Sequence, residues 1–148
     1  MSKQFSDLGI SPLILKSLID LKISVPTEIQ EKSIPILLKS SDDFVGLAKT
    51  GTGKTAAFGL PLLQLIDLDN QNIQALILVP TRELGHKIFS NMEKYAKYLP
   101  EISIADICGG IPITPQIERL TPIPNIVIAT PGRLIELITR NEITIKQA

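Results

Sequence analysis

Eight residues, Ala48-Lys49-Thr50-Gly51-Thr52-Gly53-Lys54-Thr55, constrain this chain more than any other stretch. They follow the apolar run Phe44-Val45-Gly46-Leu47 and lead straight into a helix-forming segment. An apolar strand that ends in a flexible turn and opens a helix makes consecutive backbone N–H groups converge, which is an arrangement suited to phosphate oxygens. Gly51 and Gly53 supply the flexibility. Lys54 brings a positive charge to terminal phosphates, and the Thr55 hydroxyl is placed to hold Mg²⁺. In the pattern G-x-x-x-x-G-K-S/T the first glycine is replaced by Ala48, which is tolerated where φ stays negative. A glycine-rich turn without a ligand is the alternative, and the Lys-Thr ending after a strand weighs against it.

A chain of 148 residues is long enough for one domain with a sizeable core. Its 44% hydrophobic and 20% charged residues exclude a disordered tail and fit several fully buried strands. Formal net charge is zero, so any grip on nucleic acid must come from local sites and not from a basic surface field. Cys108 is the single cysteine, which rules out an internal disulfide or a cysteine-based zinc site and favours a cytoplasmic setting. The start, Met1-Ser2-Lys3-Gln4-Phe5, has no apolar signal core, and no apolar run approaches the roughly 18 residues of a membrane span. A soluble, unexported protein without membrane partners is expected.

Four apolar runs read as buried parallel strands: 43–47, 75–79, 102–108 and 126–129. Helical patterns fill the intervals at 54–65, interrupted by Pro61, then at 83–98, 116–120 and 133–140. Two further helices precede the first strand, one starting at Ser11-Pro12 and one near Thr27. Alternation of strand and helix implies an α/β fold, a mostly parallel sheet with helices on both faces, and ligands gather at the carboxyl ends of such strands. His86, the only histidine, has no partner cluster in the sequence and reads as a helix-surface or partly packed residue. Asp106 reads as a solvent-facing strand position, and Cys108 as a small buried hydrophobe.

Phosphate loops occur in many enzyme classes, so the remaining segments must discriminate. Phe5, Pro26-Thr27-Glu28-Ile29-Gln30, the loop 48–55, Pro80-Thr81-Arg82-Glu83-Leu84, Gly109-Gly110 and Thr130-Pro131-Gly132-Arg133-Leu134 occur here in one order. In that order they resemble the first RecA-like lobe of the DEAD-box RNA helicases, and the resemblance covers nearly the whole chain. It implies a single N-terminal lobe over 1–148, with a helical adenine-recognition segment at 1–40 and a P-loop core at 41–148. It also implies bound ATP or ADP with Mg²⁺, held by Phe5, Thr27, Gln30 and residues 48–55 (Ala48, Lys49, Thr50, Gly51, Thr52, Gly53, Lys54, Thr55). Lys54 and Thr55 would support catalysis.

Gln30 and Phe5 match the family positions that address adenine, the glutamine by its paired donor and acceptor and the aromatic by packing on the base. A helix capping box between Thr27 and Gln30 is the competing reading of the same residues, and the two roles are compatible. By the same resemblance Pro80, Thr81, Arg82, Gly109, Gly110, Thr130, Pro131, Gly132 and Arg133 hold the sugar-phosphate backbone of single-stranded or duplex RNA. Thr81 is expected to cap a helix and offer N–H donors at its start. Taken singly, these three segments also read as ordinary caps and turns.

The acidic motif that names the family does not occur before Ala148, nor does a second RecA-like lobe. Phosphoryl transfer needs a carboxylate to position Mg²⁺ and water. The chain therefore reads as a fragment of a longer two-lobe ATP-dependent RNA helicase, incomplete at its C-terminal end and able to bind adenine nucleotide without turnover. Its truncation is expected to expose strand edges near the phosphate loop. The competing readings are a small P-loop kinase or NTPase of another class and a stand-alone nucleotide-binding module.

Overall fold

The computed structural model describes residues 3–148. Two compact units form: one runs as far as Leu65 and takes in Lys94–Leu99, and the other comprises Ile66–Glu93 and Pro100–Ala148.

The first unit is helical. A 3₁₀ turn (Phe5–Leu8) leads into α1 (Pro12–Asp20), α2 (Glu28–Lys39) and α3 (Lys54–Leu65). Pro12 stands at the first helical position after Ser11, where its missing N–H costs nothing. Phe5, Leu8, Ile14, Leu18, Ile34, Leu60 and Leu63 form the core. The expected interruption at Pro61 does not occur, and α3 runs through it. A proline inside a helix leaves the carbonyl four residues earlier without its donor. That carbonyl belongs to Ala57, and the buried Ser33 hydroxyl of α2 donates to it at 3.2 Å, which lets the helix continue.

The strand expected over 43–47 is also not formed; the segment is irregular. A strand exists only when a neighbour completes its hydrogen-bond ladder, and none among the described residues pairs with this one. Its apolar side chains consequently face solvent, Val45 at 84% and Leu47 at 91% exposure.

The second unit alternates β1 (Ala75–Leu78), α4 (Arg82–Tyr95, whose last two residues fall in the first unit), β2 (Ile104–Asp106), α5 (Thr114–Glu118), β3 (Ile126–Ala129) and α6 (Pro131–Thr139). The sheet is parallel throughout in the order β1-β3-β2, with Ala75 and Ile104 both in register with Ile126. The centre strand β3 is buried at every position, as an unbroken Ile-Val-Ile-Ala run requires. Ile73, Ala105, Ile107, Leu120, Val127, Leu134 and Leu137 close the core beneath it.

One close approach fixes how α4 seats on the chain leaving β2. A Cβ on Gly85 would lie 2.3 Å from Cys108 Sγ and 3.2 Å from Val79 Cγ2. Overpacking costs roughly 1–3 kcal/mol, and alanine's better helix propensity returns up to about 1 kcal/mol. Gly85→Ala is therefore expected to destabilise, and Gly85→Ala with Cys108→Ala to be more stable than Gly85→Ala alone. Urea midpoints check this; a Gly85→Ala protein as stable as the parent would show that the contact yields.

Candidate functional site

The phosphate loop folds around Gly53, the residue before α3. Gly51 and Gly53 both hold φ at +80°, a left-handed conformation that disfavours side chains. The Gly53 carbonyl accepts the Ala57 N–H at 3.1 Å and the Gln30 Nε2–H at 3.0 Å, and a Cβ on Gly53 would fall 2.3 Å from that Nε2. Thr52 Oγ1 donates to the Lys49 carbonyl at 2.6 Å and closes the loop on itself. The N–H groups of Gly51, Gly53, Lys54 and Thr55 have no acceptor among the described residues. This leaves the donors of the helix start free for an anion.

Beside the loop lies a cleft of about 540 Å³ lined by Thr27, Glu28, Ile29, Lys32, Leu47, Ala48, Lys49, Gly51 and Thr52. Thr27 and Gln30 form the capping box at the start of α2, the Thr27 Oγ1 facing the Gln30 N–H. A second, apolar cleft of about 310 Å³ runs between Ile29, Leu37, Phe44, Phe58 and the stem of Lys54. Gln30 is buried at 4% exposure, and its amide is engaged at both ends: Oε1 accepts the Thr27 N–H at 3.0 Å while Nε2 reaches Gly53. An unspent Nε2 hydrogen and an Oε1 lone pair remain for another partner. Phe5 departs from its expected place. It is 3% exposed in the helical core and lines neither cleft, because an aromatic flanked by a turn and two helices is buried by their packing; the aromatics at the apolar cleft are Phe44 and Phe58.

In the second unit the three expected backbone-binding segments are tied together. Thr81 Oγ1 accepts the Leu84 N–H at 3.2 Å, so it caps α4 as expected. Arg82 donates to the Gly110 carbonyl at 2.9 Å, and Thr130 Oγ1 accepts the Gly109 N–H at 2.8 Å. Pro131 opens α6, and Gly132 has open space where a Cβ would stand. Arg133, by contrast, is turned inward. Its side chain is 10% exposed, and it binds Gln116 Oε1, the Ile111 carbonyl at 2.8 Å and Glu136 at 3.2 Å.

Two residues with a positioning part escaped the sequence reading. Gln116, 1% exposed, donates to the Cys108 carbonyl at 2.7 Å while it accepts from Arg133. Arg119 donates to the Asp106 carbonyl at 3.2 Å. A glutamine among the apolar residues of Ile113–Leu120 was the available signal, since a polar group on a buried face must find partners.

One expectation is corrected here: Asp106 is buried at 6% exposure and does not face solvent. His86 lies on the helix surface as expected, 54% exposed, and its Nδ1 hydrogen-bonds Asp106 Oδ2. The contact joins residues 20 apart in sequence, which spacing alone does not disclose. Burial pushes the Cys108 thiol up to about 12, helped by the neighbouring Asp106, so it stays protonated at neutral pH and is no nucleophile. No group of three or more His, Cys, Asp or Glu side chains suited to a metal occurs among the described residues. No helix among them is long and apolar enough to cross a membrane.

A glycine loop with free N–H donors and a Lys-Thr ending, in one chain with a parallel strand–helix unit, defines a P-loop α/β protein. More narrowly, the chain belongs to the DEAD/DEAH box helicase family, whose profile matches residues 27–148. It is 43% identical over 136 residues to the ATP-dependent RNA helicase DeaD of Mycobacterium tuberculosis, an alignment covering 92% of this chain and 24% of that protein. Among solved structures it resembles the RNA helicase Prp28 from Chaetomium thermophilum bound to ADP, with a TM-score of 0.88, 38% identity, and coverage of 99% of this chain and 36% of that one. It also resembles S. cerevisiae Dbp5 bound to RNA and ADP BeF3, with a TM-score of 0.85, 28% identity, and coverage of 99% and 36%. The fold is an incomplete RecA-like lobe, and the chain spans about a quarter of the length of the DeaD relative.

Proposed function

We propose that this chain is the adenine-nucleotide-binding and RNA-binding lobe of an ATP-dependent RNA helicase. The observation that carries the reading is the loop at Gly53, where free N–H donors at a helix start meet a glutamine whose amide is anchored to the same glycine. In this reading the N–H groups from Gly51 to Thr55 and the Lys54 ammonium hold the phosphates. Thr55 supplies a hydroxyl to Mg²⁺, and Gln30 addresses the adenine edge. The cleft beside the loop fits such a ligand.

The family relatives support it: one is named an ATP-dependent RNA helicase, and two solved relatives carry ADP or ADP BeF3, the latter with RNA. Thr81, Arg82, Gly109, Gly110 and Thr130 would contact the sugar-phosphate backbone, a mode that predicts little sequence preference. Unwinding or remodelling of RNA, with closure against a second RecA-like lobe, belongs to the intact parent protein. A cytoplasmic setting fits the single, reduced cysteine.

No D-E-A-D segment is present in the 148 residues, so binding without turnover is expected. A titration with fluorescent ADP and Mg²⁺, using unlabelled GDP as competitor, tests the reading alongside a phosphate-release assay with RNA. ADP binding that GDP competes for poorly, without RNA-stimulated release, is the expected result. Equal competition by GDP would defeat adenine recognition, and measurable turnover would defeat the binding-only reading.

A further inference from the structure

Along one face of α4, three residues meet three alternate residues of the chain that leaves β2. Arg82 donates to the Gly110 carbonyl, Gly85 packs on Cys108, and His86 hydrogen-bonds Asp106. Positions i, i+3 and i+4 share a helix face, so the three contacts line up along one side of α4. We propose that His86 is a positioning residue for RNA binding: through Asp106 it fixes the Gly109-Gly110 turn against the start of α4. The proposal rests on the RNA-binding reading above.

Asp106 is built to transmit such a constraint. One carboxylate oxygen faces His86, and the other accepts the Cys108 N–H at 3.2 Å, which turns the chain out of the sheet toward Gly109. Ile107 is still bonded to the Ile128 carbonyl at 2.8 Å, so the turn begins immediately after it. Rotation of the Asp106 side chain therefore moves Cys108 and the glycines that follow. What stops that rotation is His86. Arg119 donates to the Asp106 backbone carbonyl and not to its side chain, and the cleft of about 480 Å³ shared by His86, Phe89, Asp106 and Arg119 is open enough for water to take the place of the imidazole.

The tie matters most when RNA is bound. In the free chain Arg82 also holds Gly110. A phosphate is a stronger partner for a guanidinium than a neutral carbonyl, so RNA draws Arg82 away from the turn. The Gly85–Cys108 packing then keeps the distance without fixing a direction, and the polar link at His86 fixes the direction. Because the His86 side chain is 54% exposed, its removal alters geometry more than overall stability.

The test compares the parent chain with His86→Ala and His86→Gln, the second keeping a donor of similar reach. The readouts are affinity for a fluorescent oligouridylate, urea midpoint, and amide hydrogen exchange at Cys108 and Gly109. His86→Ala is expected to weaken RNA binding about five-fold, the net worth of one hydrogen bond, to speed exchange at both amides, and to leave the urea midpoint close to the parent's. His86→Gln restores both affinity and protection. In an Asp106→Ser background, where serine keeps an acceptor for the Cys108 N–H, His86→Ala has no further effect.

Unchanged exchange in His86→Ala overturns the proposal whether or not RNA binds. So does RNA affinity equal to the parent's, or a loss that His86→Gln fails to recover. If the parent chain itself binds no RNA while exchange responds as expected, the RNA-binding reading fails and the brace stands as a structural one.

Discussion

Arg133→Ala is expected to destabilise the protein by about 2–7 kcal/mol. The guanidinium is 10% exposed and serves three partners: Gln116 Oε1, the Ile111 carbonyl and Glu136. Its removal leaves two sheltered acceptors unpaired, at roughly 1–3 kcal/mol each. The partly exposed pair with Glu136 adds no more than about 1 kcal/mol. Arg133→Lys keeps the charge but loses the planar fork, so it cannot span Gln116 and Ile111 together and should fall between parent and alanine variant. Urea unfolding measures this directly. A midpoint unchanged in Arg133→Ala would mean that water substitutes for the guanidinium and that the side chain is free for another task.

That result bears on how RNA measurements are read. Arg133 sits where a phosphate-binding arginine is expected, yet a loss of RNA affinity in Arg133→Ala would follow from unfolding alone. Arg82 is the cleaner probe. Its side chain is 38% exposed and its hydrogen bond to Gly110 is a surface one, so Arg82→Ala leaves the unfolding midpoint within about 1 kcal/mol of the parent's. A fall in RNA affinity there reports on contact.

The sequence disclosed what local rules govern. The loop 48–55, the start of α1 at Pro12, the Thr81 cap and the three parallel strands of the second unit follow from glycine and proline placement, capping and apolar runs. Where a long-range partner decides, it stayed silent. The run 43–47 has every local mark of a strand and forms none, because pairing requires a neighbour. Pro61 has the mark of a helix break and makes none, because Ser33 from another helix satisfies the carbonyl it orphans. Asp106, His86, Gln116 and Arg133 carry no motif that distinguishes a brace from a surface residue, and only burial and contacts reveal which they are. The phosphate loop was legible because its chemistry is contiguous in sequence, whereas the bracing network is assembled from four separate elements.

Lys54→Ala and Gln30→Ala are expected to separate two parts of nucleotide recognition. Lys54 is exposed, so its loss leaves the fold intact while removing the charge proposed to meet the phosphates. A hydrogen bond to a charged group is worth about 1.5–3 kcal/mol, so ADP affinity should drop about 10- to 100-fold, and GDP affinity by the same factor. Gln30→Ala acts differently. It deletes the amide proposed to address the base and also the clamp on Gly53, leaving the Thr27 N–H without its acceptor. Preference for ADP over GDP is expected to vanish, with a stability cost of about 1–2 kcal/mol from the freed donor. Gln30→Glu sharpens the distinction: it keeps an acceptor for Thr27 but sets a carboxylate against the Gly53 carbonyl, which should open the loop and weaken both nucleotides. Competition titrations of the three variants decide it. If Gln30→Ala keeps its preference for ADP, the glutamine is only a strut between α2 and the loop, and the adenine must be read by other residues of the clefts beside it.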